Sequence, residues 1–277
     1  VAALKVKLEQ AKRNNCLPKV VIPVHMAGQS SLMSAIYALS QEYGFAIIED
    51  ASHAIGGRYL DQPIGCCQFS DITVFSFHPV KIITSAEGGM ALSNQPQLVE
   101  RMALLRSHGV TRDEADMIGE SDGPWYYQQV SLGFNYRMTE LQAALGLSQL
   151  TRLSQFVVNR NRLAERYDVL LSELPVERPI VDKSCYSAFH LYIVRLQLCS
   201  VSRRQVFDAM RSQGIGVHVH YIPVHTQPYY QALGFASGDF PAAESYYECA
   251  LSLPLYQQMT EPEQDSVVAA LREALLI

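Results

Sequence analysis

The sequence predicts an α/β fold carried by a parallel sheet, and three observations lead to it. Short apolar runs, FAIIED at 45–50 and ITVFSF at 72–77, have the length and the β-branched and aromatic content of strands buried in such a sheet. Before the first of them, KVVIPVHM at 19–26 reads as a strand, and Leu32, Ile36 and Leu39 then recur at helical spacing, so strand, helix and strand follow one another as a crossover unit requires. Strand and helix patterns alternate again toward the C-terminus.

Taken in order, residues 1–14 have helical periodicity and stop at an Asn pair. The strand at 19–26 contains Pro23 and closes at Gly28, and Ser30 or Ser31 is placed to cap the helix over 32–43 that Gly44 ends. Residues 54–70 are glycine-rich loop with a hairpin near Tyr59 to Gln62. After the strand at 72–77, Gly88-Gly89 precede a short strand at 90–93, and Ser93 or Asn94 is expected to cap a helix running to Leu105. Residues 110–135 are polar and irregular, a long loop of the kind that covers a site or reaches a partner. Helix formers fill 141–171, and the domain boundary is placed among them, giving a large domain over 1–150 and a smaller one over 151–277. In the latter, 189–198 and 217–221 read as strands, 202–213 as a helix, and 261–276 as a helix opened by a Thr260/Glu263 capping box.

Composition excludes several classes. A net charge of −5 without any basic run argues against nucleic acid as a partner. No apolar run approaches membrane-spanning length. Six cysteines, at 16, 66, 67, 185, 199 and 249, form no Cys-x-x-Cys pair, which fits reduced thiols in a cytoplasmic protein. No Gly-x-Gly-x-x-Gly turn follows a strand, so a nicotinamide enzyme is not indicated. His218, His220 and His225 lack a nearby acidic partner in sequence, so no metal is expected.

Ligands of open α/β sheets sit beyond the carboxyl ends of the strands, where these runs place Asp50, His53, Ser76 and Lys81. A lysine among apolar and small residues loses solvation, and its amine becomes a usable nucleophile; the plain alternative is a surface lysine at a strand end. Asp50 is suited to pairing with a protonated pyridine nitrogen, or simply to capping the turn that follows. His53 could serve a ring oxygen or be structural, and Ser76 could bind phosphate or merely belong to its strand.

Together these segments resemble one family. Asp50-Ala51-Ser52-His53, Ser76-Phe77-His78-Pro79-Val80-Lys81, Glu87-Gly88-Gly89, Arg106-Ser107-His108-Gly109, Gly133-Phe134-Asn135-Tyr136-Arg137-Met138 and His220-Tyr221-Ile222-Pro223-Val224-His225 look like the DegT/DnrJ/EryC1/StrS sugar aminotransferases. The resemblance covers essentially the whole chain. It implies the aspartate-aminotransferase-like fold of pyridoxal 5'-phosphate enzymes, a large domain with a mixed, mostly parallel sheet and a smaller α/β C-terminal domain. It implies that Lys81 carries the cofactor and moves the proton, that Asp50 pairs with the ring nitrogen, that His53 lies near the ring oxygen, and that Ser76 holds the phosphate. Asn135 would reach the cofactor phosphate of a neighbouring subunit, making a homodimer with shared sites. His220, Tyr221 and His225 would line the sugar-nucleotide side.

Within the family, 124–150 and 220–235 are most similar to the branch of pseudaminic acid biosynthesis. That similarity implies an amino group passed from glutamate, leaving 2-oxoglutarate, to the 4-keto carbon of a UDP-linked 6-deoxy-N-acetylhexosamine. The chain opens on Val1, and the resemblance enters midway through the family's large domain, so an N-terminally incomplete member is expected. The competing expectation is a truncated, non-catalytic member of the same fold. Thr84-Ser85-Ala86-Glu87 stands where the family more usually has Thr-Gly-Glu, and alanine lacks glycine's freedom at positive φ.

Overall fold

Parallel pairing organises the first part of the chain. The computed structural model describes residues 1–197 and 201–276, so Cys199 and the end of the strand expected over 189–198 lie outside the described residues. The chain divides into two units, Val1–Met26 with Ser30–Leu153, and Ala27–Gln29 with Ser154–Ile277.

In the first unit, α1 (Ala2–Arg13) leads to β1 (Val20–Val21), α2 (Met33–Tyr43) and β2 (Ala46–Asp50). A hairpin of β3 (Arg58–Tyr59) and β4 (Gln62–Pro63) precedes β5 (Ile72–Ser76) and β6 (Gly89–Leu92). The sheet order is β1-β2-β5-β6, with β1, β2 and β5 parallel and β6 antiparallel to β5. It is therefore mixed and mostly parallel. α3 (Pro96–Arg106), the strand pair β7 (Val110–Thr111) and β8 (Gln128–Gln129), and α4 (Glu140–Leu150) complete the unit.

Several local expectations change. Pro23 has no N–H to donate, and β1 is correspondingly short, resuming only as a bridge between Val24 and Asp50. Neither Ser30 nor Ser31 caps α2, because the N-cap is Leu32 and the Ser31 N–H is drawn to the His25 ring instead. Gln95 is the N-cap of α3; Asn94 donates to the Cys66 carbonyl, and Ser93 to that of Asp71. The loop expected over 110–135 is partly tied down by the β7–β8 pair.

Burial of β2 and β5 alternates rather than covering both faces. Ile47, Glu49, Thr73 and Phe75 are buried, whereas Ile48, Asp50, Val74 and Ser76 are only half-buried. Partners across the ladder point to the same face, and Asp50 stands opposite Val74, two residues before Ser76. One face of the sheet is thus sealed, and the other carries Asp50 and Ser76.

The second unit runs through α5 (Leu153–Leu170), β9 (Val176–Glu177), β10 (Cys185–Tyr186), β11 (Tyr192–Leu196), α6 (Arg203–Ser212), α7 (Pro228–Ala232), α8 (Pro241–Cys249), β12 (Ala250–Leu253) and α9 (Glu261–Ala274). Antiparallel pairing orders β12-β11-β9. Ser202 with Gln205 and Thr260 with Glu263 form capping boxes at the starts of α6 and α9. Leu163, Tyr167 and Leu171 pack with Tyr192, Val194, Leu251, Val267 and Leu271 in its core. Burying each such side chain contributes about 1.5–3 kcal/mol. The expected strand over 217–221 is reduced to one bridge between His218 and Ser252.

Candidate active site

The site begins where β2 and β5 end. The Asp50 backbone is held on both sides by the segment after β1: its N–H donates to the Pro23 carbonyl and its carbonyl accepts from the His25 N–H, each at 3.0 Å. Its carboxylate Oδ1 accepts the Ser52 N–H at 3.0 Å, so Asp50 does cap the turn after its strand, with Oδ2 available besides. His53 follows on that turn and is buried.

Beyond Ser76, the chain turns through His78-Pro79 to Lys81, whose N–H donates to the His78 carbonyl at 3.0 Å. The loop then closes on Phe77: its carbonyl accepts from Ser85 N–H at 3.0 Å and from Thr84 Oγ1 at 2.9 Å. Ser85 Oγ in turn donates to the Glu87 carbonyl at 2.8 Å. This closure presents Lys81 on a short, fixed arch. Burial lowers the Lys81 amine below the ordinary lysine range, and the attraction of the Asp50 carboxylate offsets part of that shift. Asp50 and Lys81, thirty-one residues apart, therefore act on each other electrostatically.

Ala86 sits in this arch at φ 68°, the left-handed conformation that glycine adopts without strain. Gly88, at φ 152°, leaves no room for a side chain, because a Cβ there would lie 2.5 Å from Ser85 Oγ.

Asn135 comes from a different seam. The segments 105–109 and 130–136 are laced by His108 N–H to Phe134 O at 2.8 Å, Phe134 N–H to Leu105 O at 2.7 Å and Tyr136 N–H to Arg106 O at 3.0 Å. Gly109 and Gly133 permit that approach: a Cβ on Gly133 would stand 2.2 Å from the Gly109 nitrogen. Asn135 is bridged to Ser107 through the backbone and its residue surface is exposed.

His220, Tyr221 and His225 lie in the second unit. His220 stacks on His218 with ring centroids 4.8 Å apart, and its Nδ1 is 2.7 Å from Ser252 Oγ. Tyr221 meets the His220 ring edge-on at 4.6 Å and is half exposed. His225 is buried, with Nε2 2.8 Å from Glu244 Oε1, which also accepts the Gly238 N–H at 2.7 Å. Hydrogen bonds from His225 and then from Gly238 hold the Glu244 carboxyl below its usual range. Among the described residues, no group of three or more His, Cys, Asp or Glu side chains is placed to hold a metal ion.

A buried network next to Asp50 escaped sequence reasoning. Glu49, one residue earlier, faces the sealed side of the sheet with His25, Ser70 and Thr73 around its carboxylate. The available signal was the pair Glu49-Asp50 itself: adjacent acids in a strand must face opposite sides.

Known proteins agree with this architecture. The Bacillus subtilis spore coat polysaccharide biosynthesis protein SpsC is 38% identical over 273 residues, covering 97% of this chain and 69% of its own length. Helicobacter pylori PseC, an aminotransferase involved in the biosynthesis of pseudoaminic acid, superposes with a TM-score of 0.86 at 28% identity, over 98% of this chain and 70% of PseC. Streptococcus pneumoniae Spr1654, solved in PMP and PLP forms, superposes in its PMP form with a TM-score of 0.83 at 28% identity, over 93% of this chain and 69% of that one. The chain thus spans about two thirds of the length of these relatives. The sequence profile of the DegT/DnrJ/EryC1/StrS aminotransferases matches residues 2–272, and the chain belongs to that family of pyridoxal-phosphate-dependent enzymes.

Proposed function

We propose that this protein transfers an amino group from glutamate to the 4-keto carbon of a UDP-linked 6-deoxy-N-acetylhexosamine, as in pseudaminic acid-type sugar biosynthesis, working as a cytoplasmic homodimer. The observation that carries the reading is the placement of Asp50 at the end of β2 and of Lys81, half-buried and within reach of the Asp50 field, on the arch beyond β5, both at the carboxyl edge of a parallel sheet. Similarity to PseC supports the sugar class.

The residues present fit pyridoxal phosphate chemically. An anion, an amine of lowered basicity and a hydroxyl stand at one sheet edge, matching a ring nitrogen, an aldehyde carbon and a phosphate. When bound, the cofactor supplies an electron sink and carries the amino group between donor and acceptor. Asp50 holds the proton on the ring nitrogen, and Ser76 Oγ donates to the phosphate. His53, buried on the turn after β2, orients the ring oxygen. Lys81 Nζ would hold the cofactor and, whenever its amine is free, would accept and return a proton at the substrate carbon that bears the amino group. The lowered pKa leaves more of that amine neutral near pH 7 than an exposed lysine would have. Asn135, exposed on its seam, reaches toward the cofactor phosphate of a second subunit. His220, Tyr221 and His225 offer aromatic and imidazole surface to the sugar nucleotide.

The test is to incubate the chain with pyridoxal phosphate, reduce with borohydride and map the labelled peptide. A visible band with the label on Lys81 is expected. Lys81→Ala should lose the band and at least about a thousandfold of turnover, because nucleophile and proton carrier go together. A wild-type chain without label at Lys81 would favour a non-catalytic member of the fold.

A further inference from the structure

Glu49 takes no part in the chemistry above, yet its surroundings are built with care. The residue is 5% exposed. Oε2 lies 2.7 Å from His25 Nε2, Oε1 accepts from Thr73 Oγ1 at 3.2 Å, and Ser70 Oγ donates to Oε1 as well. The tautomer of His25 follows from its other nitrogen. Nδ1 accepts the backbone N–H of Ser31 at 3.1 Å and so bears no proton; Nε2 must then carry the hydrogen that it gives to Glu49. His25 is completely buried, and its Nε2–H is one of three donors that meet the carboxylate. Burial opposes its ionisation, but the bonds from His25, Ser70 and Thr73 outweigh burial and hold its carboxyl below the usual range.

The donors come from the strands on either side. His25 follows β1, Glu49 is on β2, and Thr73 is its direct partner on β5. His25 also donates its backbone N–H to the Asp50 carbonyl, so its main chain holds Asp50 while its ring holds Glu49. In a strand, a slip of one residue turns every side chain to the opposite face. Here that slip would turn Glu49 away from its donors onto the open face and turn Asp50 into the sealed layer, whose donors are placed for the Glu49 carboxylate. A buried charge stripped of its partners is among the costliest defects a core can hold.

We propose that Glu49, with His25 and Thr73, is a positioning residue that sets the register at the carboxyl end of β2 and so fixes the face from which Asp50 meets the cofactor's ring nitrogen. This rests on the pyridoxal phosphate reading for its second half only. Glu49→Gln is the discriminating change. A glutamine oxygen can still accept from Ser70 and Thr73, but its NH2 then faces the His25 Nε2–H, donor against donor. His25 cannot switch tautomer without losing the Ser31 N–H.

Two measurements on the full chain decide it. Amide hydrogen exchange without cofactor should quicken about tenfold at His25 and Asp50 in Glu49→Gln and in His25→Phe, with Tyr192 and Val194 in the second unit unchanged. In cofactor-loaded protein, the pH midpoint of the visible band should move in the same direction as in Asp50→Asn. The Glu49→Gln/Asp50→Asn double variant should move no further than Asp50→Asn. Unchanged exchange overturns the register role. Faster exchange with an unmoved midpoint, or full additivity in the double variant, overturns the action through Asp50. If wild-type protein takes up no cofactor, the functional reading has failed, and exchange alone still decides the register. Should Glu49→Gln fail to fold, Thr73→Val, which removes one donor of three, carries the same two measurements.

Discussion

The two units each bury a full charge, one an anion and the other a cation, and they use it differently. In the first, Glu49 is held by side chains from neighbouring strands, directly behind the residue that faces the site. In the second, Arg160 on α5 is 4% exposed, and its guanidinium reaches the carbonyls of Phe189 and Leu255 at 3.0 Å and of His190 at 3.3 Å, with Gln257 Oε1 at 3.3 Å. Burial brings its pKa down to about 10, so it remains charged at neutral pH. Their settings differ too. Arg160 ties two turns to a helix beside a closely packed core. Around β5 and α4 the first unit instead leaves an apolar hollow of about 560 Å³ lined by Phe75, Phe77, Met90, Met138 and Leu147. The lesson is that Arg160 secures loops within a core that packing already specifies, whereas Glu49 lies in a sealed layer where polar bonds from the neighbouring segments set the register.

The comparison can be broken most forcefully at Arg160. Arg160→Met should leave several carbonyls unpaired and destabilise the protein by about 3–5 kcal/mol, seen as a lower urea midpoint at unchanged slope. A loss under about 1 kcal/mol would mean that the turns hold without it.

Glu49→Leu should cost less at neutral pH, about 2 kcal/mol, and should differ in pH dependence. Its folded pKa is depressed, so the stability it contributes is present above the unfolded value and is lost as pH falls through the folded one. The gap between wild type and Glu49→Leu must therefore narrow on acidification. Parallel stability curves from pH 7 into the acid range would show that the carboxylate is not what the clamp relies on.

The smallest effect sharpens the contrast at the arch itself. Ala86 holds a left-handed conformation beside Lys81, so Ala86→Gly should relieve strain and stabilise by about 0.5 kcal/mol, net of glycine's greater freedom when unfolded. Destabilisation by a similar amount would place the relaxed arch elsewhere.

Much of the site was legible because chemistry and strand ends coincide along the chain. Asp50 closes β2, Ser76 closes β5, and Lys81 follows by five residues, so their common edge could be inferred from parallel topology. The left-handed position at Ala86 was visible as a departure from the family's glycine. Caps were legible where side chain and backbone lie three residues apart, as at Thr260. They were not at Ser31 and Asn94, since His25 and the Cys66 carbonyl compete for those groups from outside the local segment.

The sequence alone carried the resemblance to the family in its motifs, the α/β class in the order of its apolar runs, and the order in which the carboxylate and the lysine arrive, because each is read along a single line. Only the tertiary structure decided which face of β2 is sealed, that Glu49 and not Asp50 lies within it, and which nitrogen of His25 carries the proton. The first two depend on a ladder register, and the third on a fold that brings Ser31 and Glu49 to the two nitrogens of one ring. A strand's alternation says that two faces differ; it takes the neighbouring strands to say which one is buried.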